Sequence, residues 1–141
     1  MQLNTYLHFE DDCREAFEFY RSIFGGEFSF LVTFADGPED MPPVPEDERG
    51  RIMHVSLPVG DGVLMGSDHT SAFGPPPNLG NNYSISIDAD SRDETDRLFA
   101  GLSHGGNVAM EPQDMFWGAY FGMCTDKFGV NWMLSHETSE G

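Results

Sequence analysis

The sequence predicts an α+β fold of two tandem βαβββ modules, about residues 1–70 and 81–137 of a single 141-residue domain. The first observation is that one order of patterns (strand, helix, strand, strand, strand) occurs twice along the chain. The second is that glycine pairs end both helix patterns, at residues 25–26 and 105–106, which stand 80 residues apart. A chain of this length can bury a core without disulfides or metals.

The first module begins with a strand and a helix. Residues 3–9, LNTYLHF, alternate polar and apolar side chains, and the acids at 11–12 can cap a helix that starts directly after them. Residues 13–24, CREAFEFYRSIF, repeat apolar side chains at spacings of three and four, which predicts an amphipathic helix ended by the glycine pair. The run EFSFLVTF at 27–34 predicts the next strand.

An acidic loop and a hairpin complete this module. Residues 36–50 are rich in proline, glycine and acid, so neither a helix nor a strand period continues through them. They predict a surface loop that either closes over a binding site or lies on the surface. The runs RIMHVSLPV and GVLMGSD then flank a Gly-Asp-Gly turn typical of a β-hairpin.

The second module repeats the order. The runs NYSISIDA, RDETDRLFAGLS and NVAM predict a strand, a helix and a strand, and residues 115–134, MFWGAYFGMCTDKFGVNWML, predict an aromatic hairpin. One helix covers only one face of a four-stranded sheet, so each module needs a partner for the other face. We expect the two modules to form a cup lined by strand side chains, a shape suited to a small molecule.

The composition predicts a soluble protein of the cytoplasm. Twenty-four acids against seven bases give a net charge of −17, which repels nucleic acid and anionic lipid. The first residues do not form a signal peptide, and no apolar segment approaches the roughly 18 residues that span a bilayer. Two cysteines without zinc-ligand spacing fit a reducing compartment. We expect neither nucleic acid nor membrane as a partner.

These segments together resemble the PhnB-like branch of the vicinal oxygen chelate superfamily, which includes glyoxalase I, bleomycin resistance proteins and extradiol dioxygenases. The resemblance rests on the combined IMH, GG, FWG and FGVNW elements and covers nearly the whole chain. It implies a glyoxalase-like pair of βαβββ modules, usually in a homodimer. It also implies a cup that holds a divalent ion in the metal-using relatives.

The metal-using relatives bind the ion through up to four His, Gln or Glu side chains on the first and last strands of each module. The corresponding positions here are near Asn4, Gly66, Ser84 and Met133. None of these side chains offers the imidazole nitrogen or carboxylate oxygen that such ions prefer. The residues directly before and after these positions supply no such ligand either. We therefore predict no metal and no cofactor.

His54, within RIMHVSLPV, is the candidate catalytic residue, because a histidine among apolar neighbours could shuttle a proton. Alternatively, a backbone carbonyl could hold its ring in a structural role, or the ring could be solvated on the outer face of the sheet. His8 shares a strand face with Asn4 and Tyr6 and is a candidate for ligand binding. The other predicted ligand-binding residues supply an apolar lining, with core packing as the alternative. They are Met65, Phe116, Trp117, Tyr120 and Met133.

The aromatic residues of the hairpin are expected on one strand, whose alternation places Phe116 and Tyr120 on one face and Trp117 on the other.

Three functions are compatible with these features of the sequence. The first is a metal-free protein that binds a small apolar or aromatic molecule, as the drug-binding members of the superfamily do. The second is a glyoxalase-like lyase, isomerase or oxygenase with His54 as base, with or without a divalent metal. The third is a structural or regulatory dimer. The missing ligands favour binding over metal catalysis.

Overall fold

The computed structural model describes residues 1–138, and it confirms the predicted α+β class. Its described residues contain two α-helices and two four-stranded mixed sheets, which form two similar modules. The chain divides into two compact units, Met1–Asn78 and Leu79–Gly141. That both units belong to one domain stays a prediction. Neither α-helix within residues 1–138 has the length and apolarity needed to span a bilayer.

The first unit contains four strands and one α-helix. They are β1 (Thr5–Phe9), α1 (Cys13–Phe24), β2 (Phe30–Thr33), β3 (Ile52–Val59) and β4 (Gly62–Asp68). The sheet order is β1-β4-β3-β2, in which β1 runs parallel to β4 and the other neighbours are antiparallel. The parallel pair is possible because α1 carries the chain from the end of β1 back across the sheet.

Helix α1 covers one face of this sheet because its apolar residues recur on one side. Ala16, Phe17 and Tyr20 are all 0% exposed. Gly66 on β4 lets the Phe17 ring approach the sheet, since a Cβ at that position would lie 2.6 Å from the ring. Gly25 ends the helix as predicted, with a φ of 80° and its N–H donating to the Arg21 carbonyl.

The second unit has the same topology, which agrees with the repeat read from the sequence. Its elements are β5 (Ile85–Asp88), α2 (Arg92–Ser103), β6 (Asn107–Met115), β7 (Ala119–Thr125) and β8 (Asn131–Glu137). The sheet order is β5-β8-β7-β6, again with the first two strands parallel. Both α-helices begin and end at the predicted residues.

Several strand boundaries differ from the prediction. Strand β2 begins at Phe30 instead of residue 27, and β6 continues to Met115 instead of ending at Met110. The run through Pro112 is possible because β6 is an edge strand, where a proline need not donate to a neighbour, and because the register shifts twice along it. The expected strand position of Phe116 and Trp117 was therefore wrong, since both lie in the β6–β7 turn.

The acidic loop is anchored at its end to the segment after β4. Glu48 is 6% exposed and accepts hydrogen bonds from the Ser71 hydroxyl at 2.8 Å and the Ser71 N–H at 3.0 Å. The Arg51 guanidinium lies 3.3 Å from the same carboxylate and donates to the His69 carbonyl at 3.0 Å. The bonds from Ser71 lower the pKa of Glu48.

Candidate functional site

The face of the first sheet opposite α1 carries a cluster of polar and aromatic side chains. Strand alternation turns Leu7 and Phe9 toward the helix, so Tyr6 and His8 point to the other side. The strand register adds residues from β2, β3 and β4 to the same side. We call this surface the far face of the first sheet. Its members are Tyr6, His8, Phe30, His54, Ser56 and Met65.

Three of these side chains form a hydrogen-bonded chain across the sheet. The Tyr6 hydroxyl lies 3.2 Å from Nδ1 of His54, and Nε2 of His54 lies 3.0 Å from the Ser56 hydroxyl. Tyr6 comes from β1 and the other two from β3, so the chain passes over β4 between them. Both ring nitrogens of His54 are therefore bound to side chains, which fixes the orientation of its ring.

Flat rings surround this chain. The Tyr6 and His54 rings are stacked with centroids 5.6 Å apart, and the centroid of the His8 ring lies 5.0 Å from that of Tyr6. The Phe30 ring lies 5.6 Å from His54. Tyr6 is 38% exposed and Phe30 is 52% exposed. The far face thus combines an apolar aromatic surface with one ordered line of polar atoms.

The structure brings three predicted site residues together here: His54, His8 and Met65, the last of which is paired with Tyr6 and Ser56. Sequence reasoning missed Tyr6, Phe30 and Ser56 as members of the site. A signal for two of them was present in the strand period, because Tyr6 lies two residues before His8 and Ser56 two after His54.

In the second unit, the predicted residues do not share one surface. Met133 pairs with Met123 and Ser86, on the face opposite α2. Tyr120 faces α2, where its hydroxyl donates to Asp96 at 2.5 Å, and this bond raises the pKa of the phenol. Tyr120 and Met133 therefore point to opposite sides of the second sheet.

The other two predicted residues lie at the exposed turn between β6 and β7. Phe116 is 95% exposed and Trp117 is 52% exposed. The two rings pack edge to face with their centroids 5.1 Å apart, and the Trp117 ring packs in the same way against Phe121, with centroids 5.9 Å apart. Neither ring is part of the core of the second unit. Ligand binding by these residues stays a prediction.

The side chains at the positions implied by the metal-using relatives do not fit a divalent ion. They offer an amide, a hydroxyl and a thioether, and Gly66 offers no side chain at all. Gly66 also faces Phe17 of α1, so counting from the turn glycine reached the covered face, and Met65 is the residue on the other side. Within residues 1–138, no three His, Cys, Asp or Glu side chains are grouped to hold a metal.

The two cysteines are poor candidates for nucleophiles. Both are unpaired and buried. Burial raises the pKa of the Cys124 thiol to about 11, with a smaller contribution from the Asp126 charge. Burial also raises the pKa of Cys13, as do the nearby Asp68 and Asp12 charges. Because the thiolate is the reactive form, neither cysteine competes with the far face as a candidate site.

Paired βαβββ modules with side chains presented from the strands define a class of glyoxalase-like proteins. The chain belongs to the Glyoxalase/Bleomycin resistance protein/Dioxygenase superfamily, whose family model matches residues 2–134. This match confirms the family that the sequence resembled.

Known proteins of similar sequence or structure agree with this membership. The crystal structure of protein PA1353 from Pseudomonas aeruginosa is 41% identical, with a TM-score of 0.85 over 99% of each chain. Protein YjdN from Escherichia coli strain K12 is 28% identical over 96% of this chain and 95% of its own. A PhnB protein from Bacillus cereus shares the fold at 23% identity, with a TM-score of 0.74 over 96% of this chain and 99% of that chain.

Proposed function

We propose that the protein binds a small apolar or aromatic molecule on the far face of the first sheet. The observation that carries the proposal is the Tyr6–His54–Ser56 chain, which lies beside the exposed ring of Phe30. Flat rings supply contact area, and a few ordered polar atoms orient a ligand. Membership of a superfamily that includes bleomycin resistance proteins supports the proposal.

The ligand is uncharged or cationic. With a net charge of −17, the protein repels anions in solution. The far face offers phenol, imidazole, hydroxyl and thioether groups, which suit a ligand with little charge of its own.

The residues proposed to contact the ligand are His8, His54 and Met65, together with Tyr6 and Phe30. The sequence also predicts that residues of the second module contact the ligand and complete a cup around it. This remains a separate proposal, which single substitutions can test. Its residues are Phe116, Trp117, Tyr120 and Met133.

A neutral fluorescent probe, N-phenyl-1-naphthylamine, tests the binding function. We expect saturable binding of the probe to the wild type. In Phe30→Ala, the binding free energy should be weaker by about 1 to 2 kcal/mol, because that substitution removes apolar contact area. Phe73→Ala is the matched control, since Phe73 is 57% exposed against 52% for Phe30 and lies outside the far face. Absence of saturable binding, or equal losses in both variants, would contradict the proposal.

The same hydrogen-bonded chain favours a second candidate, a glyoxalase-like lyase, isomerase or oxygenase with His54 as base. Nδ1 of His54 lies 3.2 Å from the Tyr6 hydroxyl, so in the tautomer whose Nδ1 carries no hydrogen, Tyr6 could pass its own proton to the ring as it takes one from a substrate. In a screen of substrates of these classes, His54→Ala should fold normally and lose turnover. A rate equal to that of the wild type would leave His54 a structural residue.

We also propose a homodimer in the cytoplasm. Each sheet has two edge strands, and exposed edges need cover. The exposed aromatic turn at residues 116–117 adds apolar area that a second copy could bury. Two unpaired, buried cysteines fit a reducing compartment.

A further inference from the structure

We propose that Tyr6 contacts the ligand directly and donates its phenolic hydrogen to an acceptor oxygen of a planar, uncharged molecule, an aromatic ketone being the chemical class that fits. This inference rests on the proposed binding function and adds the role of Tyr6 as a hydrogen-bond donor and the chemical class of the ligand.

The imidazole of His54 is occupied by protein partners on both sides. Nδ1 faces the Tyr6 hydroxyl at 3.2 Å, and Nε2 faces the Ser56 hydroxyl at 3.0 Å. A neutral imidazole has one nitrogen that donates and one that accepts. The hydrogen bonds can therefore run from Ser56 to Tyr6 or from Tyr6 to Ser56. The first direction leaves the Tyr6 hydroxyl hydrogen without a partner among these three residues, and the second leaves that of Ser56.

The burial of Ser56 selects between them. Ser56 is 8% exposed, so its hydroxyl hydrogen needs an acceptor inside the protein, and Nε2 of His54 is in position to accept it. Nδ1 then carries the ring hydrogen and donates to the Tyr6 oxygen. In the opposite direction, the Ser56 hydrogen would lose this acceptor while the exposed Tyr6 hydrogen gained one, which is the costlier arrangement.

The hydrogen left at the end of the chain is that of the Tyr6 hydroxyl. Tyr6 is 38% exposed, so this hydrogen can reach a bound molecule. Because its oxygen already accepts a bond from His54, the phenol is polarised toward donation. The neighbouring rings of His8 and Phe30 provide flat contact area. A flat apolar body with a carbonyl oxygen complements both features, and a neutral carbonyl avoids repulsion by the acidic protein.

Two probes of the same shape test this assignment by isothermal titration calorimetry: 2-acetylnaphthalene, which has the carbonyl, and 2-isopropenylnaphthalene, which has a methylidene group in its place. We expect the wild type to bind the ketone about fivefold more tightly, the effect of one hydrogen bond. Tyr6→Phe should bring the ratio close to one and keep the affinity for the alkene. Ser56→Ala should reduce the ratio, because the imidazole can then take the other tautomer.

Tyr83→Phe is the matched control, since Tyr83 is 42% exposed and belongs to the other unit, and it should keep the wild-type ratio. Circular dichroism checks that each variant is folded. A ratio of one in the wild type, or an unchanged ratio in Tyr6→Phe, would overturn the inference and leave the binding function intact. Binding of neither probe would also overturn the inference, and the binding function would be overturned with it if N-phenyl-1-naphthylamine does not bind either.

Discussion

At the scale of single residues, one buried carboxylate in each unit accepts several hydrogen bonds that stabilise a turn or the end of a strand. Asp68 is 6% exposed and accepts from the N–H groups of Cys13 at 2.9 Å and Ile52 at 2.8 Å. Asp126 is 3% exposed and accepts from the N–H groups of Phe128 and Val130 and from Nε1 of Trp132 at 2.9 Å. A charge removed from water needs such donors. The donors to Asp68 come from two segments far from it in the sequence, whereas those to Asp126 come from its own turn and from the strand that follows.

The Asp126 carboxylate yields a prediction for stability. In Asp126→Asn, the amide group cannot accept from all three donors, so we expect a loss of about 2 to 3 kcal/mol in the free energy of unfolding. Urea denaturation measures it. Asp61→Asn is the control, because Asp61 is an exposed acid in the corresponding turn of the first unit. Equal stability of the two variants would show that the bonds to Asp126 contribute little.

Glu48 predicts a dependence of stability on pH. Its pKa in the folded protein lies below the ordinary value of 4.5, chiefly because of the bonds from Ser71. The folded state therefore binds this proton less readily than the unfolded state does. The stabilisation is complete above pH 4.5 and is lost as the pH falls through the folded pKa.

We expect Glu48→Gln to have a lower melting temperature than the wild type at pH 7 and a smaller difference from it as the pH falls toward 3. Glu46→Gln, which alters an exposed acid of the same short helix at 46–48, should behave like the wild type. Thermal melts across this range provide the measurement. A constant difference between Glu48→Gln and the wild type would show that this carboxylate does not contribute to the pH dependence.

At the scale of elements, close packing of a helix on a strand depends on glycine. A Cβ on residue 66 would lie 2.6 Å from the Phe17 ring, and in the second unit a Cβ on residue 122 would lie 3.1 Å from the Phe99 ring. Each glycine thus lets a buried helix ring approach its sheet. This contact determines which residues of the strand face the helix. Because side chains alternate along a strand, it also determines which residues face the other side.

Gly66→Ala should lower the free energy of unfolding by about 1 to 3 kcal/mol, because the fully buried Phe17 ring must move to admit the methyl group. Gly62→Ala on the same strand is the control, since its added Cβ would lie 3.7 Å from the Val59 carbonyl, an ordinary contact. Denaturant titration of the two variants tests the difference. A neutral effect of Gly66→Ala would mean that α1 can shift on the sheet at little cost.

For the molecule as a whole, the proposed homodimer is the property most directly open to measurement. Light scattering at micromolar concentration should give twice the 15.7 kDa of one chain. The high negative charge opposes association, so we expect added salt to strengthen the dimer by screening that repulsion. A mass of one chain at all salt concentrations would rule the homodimer out.

The sequence by itself determined both helices to the residue, the repeated module and the family. These features depend on short-range signals, namely the apolar period of each helix and the glycines that come after α1 at 25–26 and α2 at 105–106. It also selected His54 and His8, because histidines in an apolar strand stand out without knowledge of their neighbours.

Only the tertiary structure decided which side chains meet. Tyr6 and His54 are separated by 48 residues and come together because β4 lies between their strands in a particular register. The edge position of β6 let it continue through Pro112, and the face of Tyr120 was set by its pairing with β8. Strand register and edge position depend on pairing with distant segments, and a one-residue change in pairing would turn each side chain to the other face.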